Sequence, residues 1–199
     1  INNKISKTLI NKDSTDQSEI DKILINLDGT ENKSNFGANA ILAVSIANLK
    51  VAAKLSNKEI YKFTNNKTNP TLSMPYPLMN IINGGAHANN SLEIQEFMIR
   101  PDGAKNFKEC MQMSFLVIQN LKKNLEDKNI STNVGDEGGF APSLGSDEEA
   151  IELIMKSISL AGFKPGKDIS ICLDVAANEL KKPKNIEYFL EITKKFPIK

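Results

Sequence analysis

A chain of 199 residues, 40% hydrophobic and 25% charged, is sized and composed for one or two globular domains with a buried core. Its 25 Lys and Arg against 24 Asp and Glu leave no overall field to draw nucleic acid or an anionic membrane, so any anion specificity must be local. No apolar run approaches the roughly 20 residues of a membrane span, no secretory leader pattern is seen, and Cys110 and Cys172 lack CxxC or His neighbours, which together predict packed thiols in a cytoplasmic protein.

The chain starts at Ile1 and enters directly on Ile5, Leu9 and Ile10, as a fragment would. Ile20, Ile23, Leu24 and Leu27 then fall at i, i+3, i+4 and i+7, which predicts an amphipathic helix over 18–27 ending at Asp28-Gly29. A second helix is expected over 38–55, with Val44, Ala47, Val51, Ala52 and Leu55 on the face that packs against the first. The polar stretch 65–70 closes on Pro70 and puts a domain boundary near Thr71, so that 1–70 is a helical unit and 71–199 a second domain.

Beyond that boundary Pro75 and Pro77 exclude helix from an extended segment over 72–82. Ile94–Ile99 reads as a strand, and Phe107, Cys110, Met111, Ser114, Ile118, Leu121 and Leu125 trace one face of a long helix. Ser146 with Glu149 three residues on forms a capping box for a helix carrying Ile151, Ile154, Met155 and Ile158 and stopped by Gly162. The apolar run 169–175 is expected to be a parallel strand covered on both faces, and a last helix over 186–195 runs into Pro197. Strands alternating with helices predict an α/β architecture without internal repeats.

In such folds chemistry collects where strands end. The loop Asn83-Gly-Gly-Ala-His-Ala-Asn-Asn90 holds the single histidine, His87; its glycines suit close approach to a ligand, although a mobile turn has the same composition. Alternation sends Glu93 and Gln95 to one face of the next strand and Ile94 and Glu96 to the other, and a charge facing a barrel interior needs a reason, whereas one on a solvated edge does not. Gly135-Asp-Glu-Gly-Gly-Phe-Ala-Pro142 sets two carboxylates, Asp136 and Glu137, among glycines: either an acidic surface turn or an acid whose proton is retained by crowding. Asp174, closing an apolar strand, is either a cap for the next loop or a hard oxygen ligand for Mg²⁺.

Taken together, these segments resemble the enolase family. Leu27-Asp-Gly-Thr-Glu-Asn-Lys-Ser-Asn-Phe-Gly-Ala-Asn-Ala-Ile-Leu-Ala-Val-Ser45 is similar to the helix-turn-helix of its N-terminal domain. Asn80-Ile-Ile-Asn-Gly-Gly-Ala-His87, Ile94-Gln-Glu-Phe-Met-Ile99, Gly135-Asp-Glu-Gly-Gly139 and Leu173-Asp174 follow in the family's order and spacing, to about Leu180. The resemblance implies an N-terminal helical remainder followed by the first part of a TIM-like barrel, and reversible dehydration of 2-phosphoglycerate to phosphoenolpyruvate in glycolysis. It implies Glu137 as the proton donor that helps the C3 hydroxyl leave, with Glu96 in support. It also implies His87 and Gln95 as substrate contacts, and Asp174 as the first of three carboxylates for Mg²⁺, the ion that takes charge off the substrate carboxylate. The same resemblance implies a dimer or larger when full length and, in some relatives, a fraction at the cell surface, while charge balance and run length predict no nucleic acid partner and no membrane span.

Departures from the family pattern set further expectations. The family's first strands and serine-bearing lid loop would precede Ile1, and the turn through Lys181-Lys182-Pro183 is shorter than the family's, as after an internal deletion. The second and third metal carboxylates, the lysine that abstracts the C2 proton and the phosphate-binding residues would all follow Lys199. A complete eight-stranded barrel takes about 250 residues; Leu72 to Lys199 supplies roughly half, with open edges, so the chain alone is expected to be sticky and to show no turnover. Two other readings share the residues: a non-catalytic remnant acting as a binding or interaction protein through its barrel edge, and a superfamily member acting on another carboxylate.

Overall fold

The first strand of the barrel-like part, β1 (Met79–Asn83), pairs antiparallel with β2 (Glu96–Arg100), which pairs antiparallel with β3 (Ser170–Asp174), in the order β1-β2-β3. The structure is a computed structural model and describes residues 1–65, 72–180, 184 and 186–199. The expected boundary at Thr71 and the short turn through 181–183 lie outside the described residues. The chain divides into two units, Ile1–Ser73 and Met74–Lys199.

The first unit is helical: α1 (Ile5–Leu9), α2 (Gln17–Asp28), α3 (Ala38–Leu55) and α4 (Ile60–Phe63). Asp16 caps α2 by accepting from the Glu19 N–H, and Gly29, at φ 72°, closes it in the left-handed conformation that spares a glycine the Cβ clash. Ile5, Ile20, Leu24 and Ile41 form its core. The contact face of α3 matches expectation in part: Ala52 is buried and Val44 packs against the core, but Ala47, Val51 and Leu55 are exposed and Ile41 and Ala53 are buried instead. The reason is polar. The Ser45 hydroxyl donates to Asp21 at 2.6 Å, and the Asn48 amide donates to Gln17 at 2.9 Å and to the Ser14 carbonyl at 3.0 Å, so hydrogen-bonded side chains take the centre of the α2–α3 seam. At 18 residues α3 is the one helix among the described residues with the length and composition of a span; carrying Ser45, Asn48, Lys50 and Lys54, it does not indicate one.

Asp28 is buried at the end of α2, yet its carboxylate accepts from the Thr30 hydroxyl, the Phe36 N–H at 2.9 Å and the Thr30 N–H at 3.2 Å. Burial pushes its pKa up, and these donors outweigh it, so the group titrates below its ordinary value. The Leu27–Ser45 segment thus folds as a turn organised around one satisfied carboxylate.

In the second unit β2 is the central strand, with Phe97 and Ile99 fully buried against α5 (Phe107–Asp127) and α6 (Asp147–Leu160). Val117, Leu121 and Leu125 of α5 and Ile151, Ile154 and Ile158 of α6 complete this core, leaving Phe107 and Met111 on the exposed side of α5. Ser146 caps α6 as expected, accepting from the Glu149 N–H at 3.1 Å, but Glu149 reaches back to the Gly145 N–H (2.7 Å) rather than to Ser146. Gly162 stops the chain at φ 88°. Cys110 and Cys172 are free and buried, and burial raises both thiols.

The expected parallel strand at 169–175 is instead antiparallel to its neighbour, Phe97 facing Leu173 and Ile99 facing Ile171. One crossover helix returns a chain to the end where its strand began; two consecutive helices return it to the opposite end, and α5 followed by α6 does the second. β3 gains a parallel neighbour after α7 (Ile186–Lys195), where Ile198 bridges Ile171, and the N–H groups of Ile171 and Lys199 donate to the carbonyls of Pro197 (3.2 Å) and Ile171 (2.9 Å).

Candidate active site

One row of the sheet brings together the ends of all three strands: Asn83 pairs with Glu96, and Glu96 with Asp174. The strand expected from Ile94 begins at Glu96, so the predicted alternation does not hold before it. Ile94 is buried with Phe97 and Ile99, whereas Glu96, Met98 and Arg100 take the other face. Glu96 therefore lies at the strand end beside the loop that follows β1.

That loop holds His87 in a single 3₁₀ turn, its N–H bonded to the Gly84 carbonyl at 3.0 Å. Its glycines serve the chain itself more than a ligand: a Cβ on Gly84 would sit 2.5 Å from the Ile94 carbonyl oxygen, and the Gly84 N–H donates to Gln95 at 2.9 Å. Folded back this tightly, the loop sets His87 Nδ1 3.5 Å from Glu96 Oε1. The contact is an ion pair only when the imidazole is protonated, and among the described residues the buried Nδ1 has no hydrogen-bond partner.

Glu137 comes from the Gly135–Gly139 loop, which lies along β1 through the bonds Asn83 N–H to Phe140 O (2.8 Å) and Phe140 N–H to Ile81 O (2.9 Å). Gly139 is needed there because a Cβ would fall 2.7 Å from the Asn83 side-chain amide and 2.9 Å from the Ile81 carbonyl carbon. With its amide oxygen facing the loop, fully buried Asn83 accepts from the N–H groups of Asp136 (3.3 Å) and Glu137 (3.2 Å). A bulge between Asn80 and Ile82 accompanies the burial of Ile81, Ile82 and Asn83 in succession. Asn90 adds a tie between the loops, donating to the carbonyls of Asn83 (2.9 Å) and Pro142 (3.0 Å). Neither asparagine was assigned a role from sequence. The signal available was a polar residue ending an apolar strand.

The ligand atoms of His87, Glu96 and Glu137 all lie within 4.8 Å of one another. Burial is the main cause that raises the Glu96 pKa; the negative charges of Asp174 and Glu137 add to it and His87 opposes it. Crowding of carboxylates is thus felt across three elements. Gln95 lines a separate open cleft of about 510 Å³ with Ala86 and residues 176–179, next to the loop of His87. Asp174 is exposed; its Oδ1 accepts from the Ala176 N–H at 3.0 Å, and among the described residues no hydrogen bond reaches Oδ2. An anionic oxygen of this kind fits Mg²⁺ as one donor of an octahedral shell.

Strand-end carboxylates served by glycine-rich loops on one edge of a partial α/β barrel define a barrel-domain protein with an acidic mouth. Residues 71–197 match the family described as "Enolase, C-terminal TIM barrel domain", and residues 1–64 match "Enolase, N-terminal domain". A protein named "Enolase" from Pelagibacter ubique (strain HTCC1062) is 62% identical over 182 residues, covering 92% of this chain and 43% of its own length. The chain belongs to the enolase family. It spans less than half the length of that curated relative.

Proposed function

We propose that this chain carries one side of a 2-phosphoglycerate dehydratase site. The observation that supports the reading is convergence: His87, Glu96, Glu137 and Asp174 come from four separate stretches and meet at one end of the sheet. Glu137, exposed on its loop, delivers a proton to the C3 hydroxyl as the C3–O bond breaks and water departs. Glu96, whose carboxyl is raised above the ordinary glutamate range by burial and by the charges of Asp174 and Glu137, supports it from beside the loop. His87 donates to the substrate and Gln95 contacts it from the neighbouring cleft. Asp174 is one donor to Mg²⁺, which when bound takes up negative charge on the substrate carboxylate.

The base for the C2 proton is not among the residues matched here, so the 199-residue polypeptide by itself forms no phosphoenolpyruvate. The complete protein works in the cytoplasm, where its buried free thiols stay reduced, as a dimer or larger assembly. The test replaces the matching segment of the Pelagibacter ubique protein with this chain and follows phosphoenolpyruvate by its ultraviolet absorbance. Turnover abolished by Glu137→Gln supports the reading. A folded but inactive chimera overturns it in favour of a non-catalytic interaction protein, a role that the exposed Phe107, Met111 and Phe115 of α5 would suit.

A further inference from the structure

We propose that Asp147 is a positioning residue for the cleft lined by Gln95, holding both walls of that cleft through one carboxylate. The inference rests on the dehydratase reading for its effect on substrate, and on contacts which that reading does not use. Asp147 opens α6 and is only 4% exposed, a costly place for a carboxylate unless both oxygens find partners.

The two oxygens find them in different parts of the chain. Oδ1 accepts from the N–H groups of Glu93 (2.9 Å) and Ile94 (3.3 Å), the two residues before Gln95. Oδ2 accepts from the Tyr188 hydroxyl at 3.3 Å, in the first turn of α7, and stands 3.8 Å from Lys184 Nζ. Lys184 Nζ in turn lies 3.2 Å from Glu93 Oε2 and 3.8 Å from the centroid of the Tyr188 ring. One buried group therefore bridges the approach to β2 and the approach to α7.

Those approaches lead to the two walls of the cleft, Gln95 with Ala86 on one side and residues 176–179 on the other. Lys184 comes five residues after Glu179, so its anchor fixes where the chain leaving that turn must go. The turn needs a hold, because Ala176 sits at φ 47°, a left-handed conformation that its Cβ disfavours. Walls already ordered before binding spare the substrate that cost, and a positioning group displaced by about 1 Å can cost on the order of a hundredfold. None of these contacts involves His87, Glu96 or Glu137, so the clamp acts on substrate binding rather than on proton delivery.

The test has two arms. In the chimera with the Pelagibacter ubique protein, Asp147→Ala should raise KM for 2-phosphoglycerate by more than about tenfold while kcat falls by less than about threefold. Asp147→Asn keeps an oxygen acceptor for the Glu93 and Ile94 N–H groups and should recover most of that loss. In the 199-residue chain, hydrogen exchange read by mass spectrometry should quicken over both 93–96 and 176–180 in Asp147→Ala, and mainly over 176–180 in Lys184→Met, with α5 unchanged. A fall in kcat with KM unmoved, or exchange that quickens evenly through α5 and α6, would overturn the proposal. A chimera inactive before any substitution sinks the dehydratase reading alone; exchange at the two walls then decides whether Asp147 holds them.

Discussion

Asp102 gives the sharpest stability prediction, and it lies away from the site. Two residues after β2, its carboxylate accepts from Arg100 Nε at 2.5 Å, from the Ser170 hydroxyl and from Lys199 Nζ at 3.0 Å, with its side chain 15% exposed. Burial, the largest influence, pushes its pKa up; the donors, led by Arg100, then Ser170 and Lys199, together outweigh burial and bring it from 3.8 to about 2. That difference, converted at about 1.4 kcal/mol per pH unit, corresponds to roughly 2.5 kcal/mol. Because the folded-state value is depressed, the contribution is fully present above pH 3.8 and is lost as pH falls towards 2. Asp102→Asn should therefore cost about 2.5 kcal/mol at pH 7 in urea unfolding, with a penalty that shrinks steadily below pH 4. The reasoning fails if the variant unfolds at the wild-type midpoint at neutral pH, or if the penalty is the same at both ends of the range.

Glu96→Gln should raise the thermal midpoint at pH 7. Its carboxyl is raised in the folded state, so ionisation opposes folding as pH climbs, and the gain should vanish under acid conditions; a wild type at least as stable as the variant at neutral pH would contradict this. Gly84→Ala should cost about 1–3 kcal/mol by overpacking. The added methyl would meet the Ile94 carbonyl and Leu92 Cβ, each at 2.5 Å, and chemical denaturation showing a change under about 0.5 kcal/mol would refute it.

The sequence made the helices legible because their ends carry local chemistry. Ser146 with Glu149 and the Asp28-Gly29 stop are capping devices that work without tertiary context. Their faces were less legible: on α3 the periodic apolar residues suggested one seam, and hydrogen bonds from Ser45 and Asn48 to α2 selected another. Strand direction was hidden for a different reason, since the apolar run at 169–175 has the composition of either pairing and only the number of intervening helices decides. Among site residues, Glu96 and Asp174 were visible as charges on strands, and His87 and Glu137 as polar groups inside glycine-rich loops. What arranges them was not. Asn83 holds the Glu137 loop through a backbone bulge and a buried amide, neither of which leaves a periodic signature.

The pair α5 and α6 imposes a parity rule on the lineage of this fold. Losing or gaining one helix between β2 and β3 would reverse the direction in which β3 enters the sheet, and Asp174 would finish at the opposite end from Glu96. Insertions and deletions in this connection are therefore expected to come as whole helical hairpins, or as changes of loop length that leave the count even.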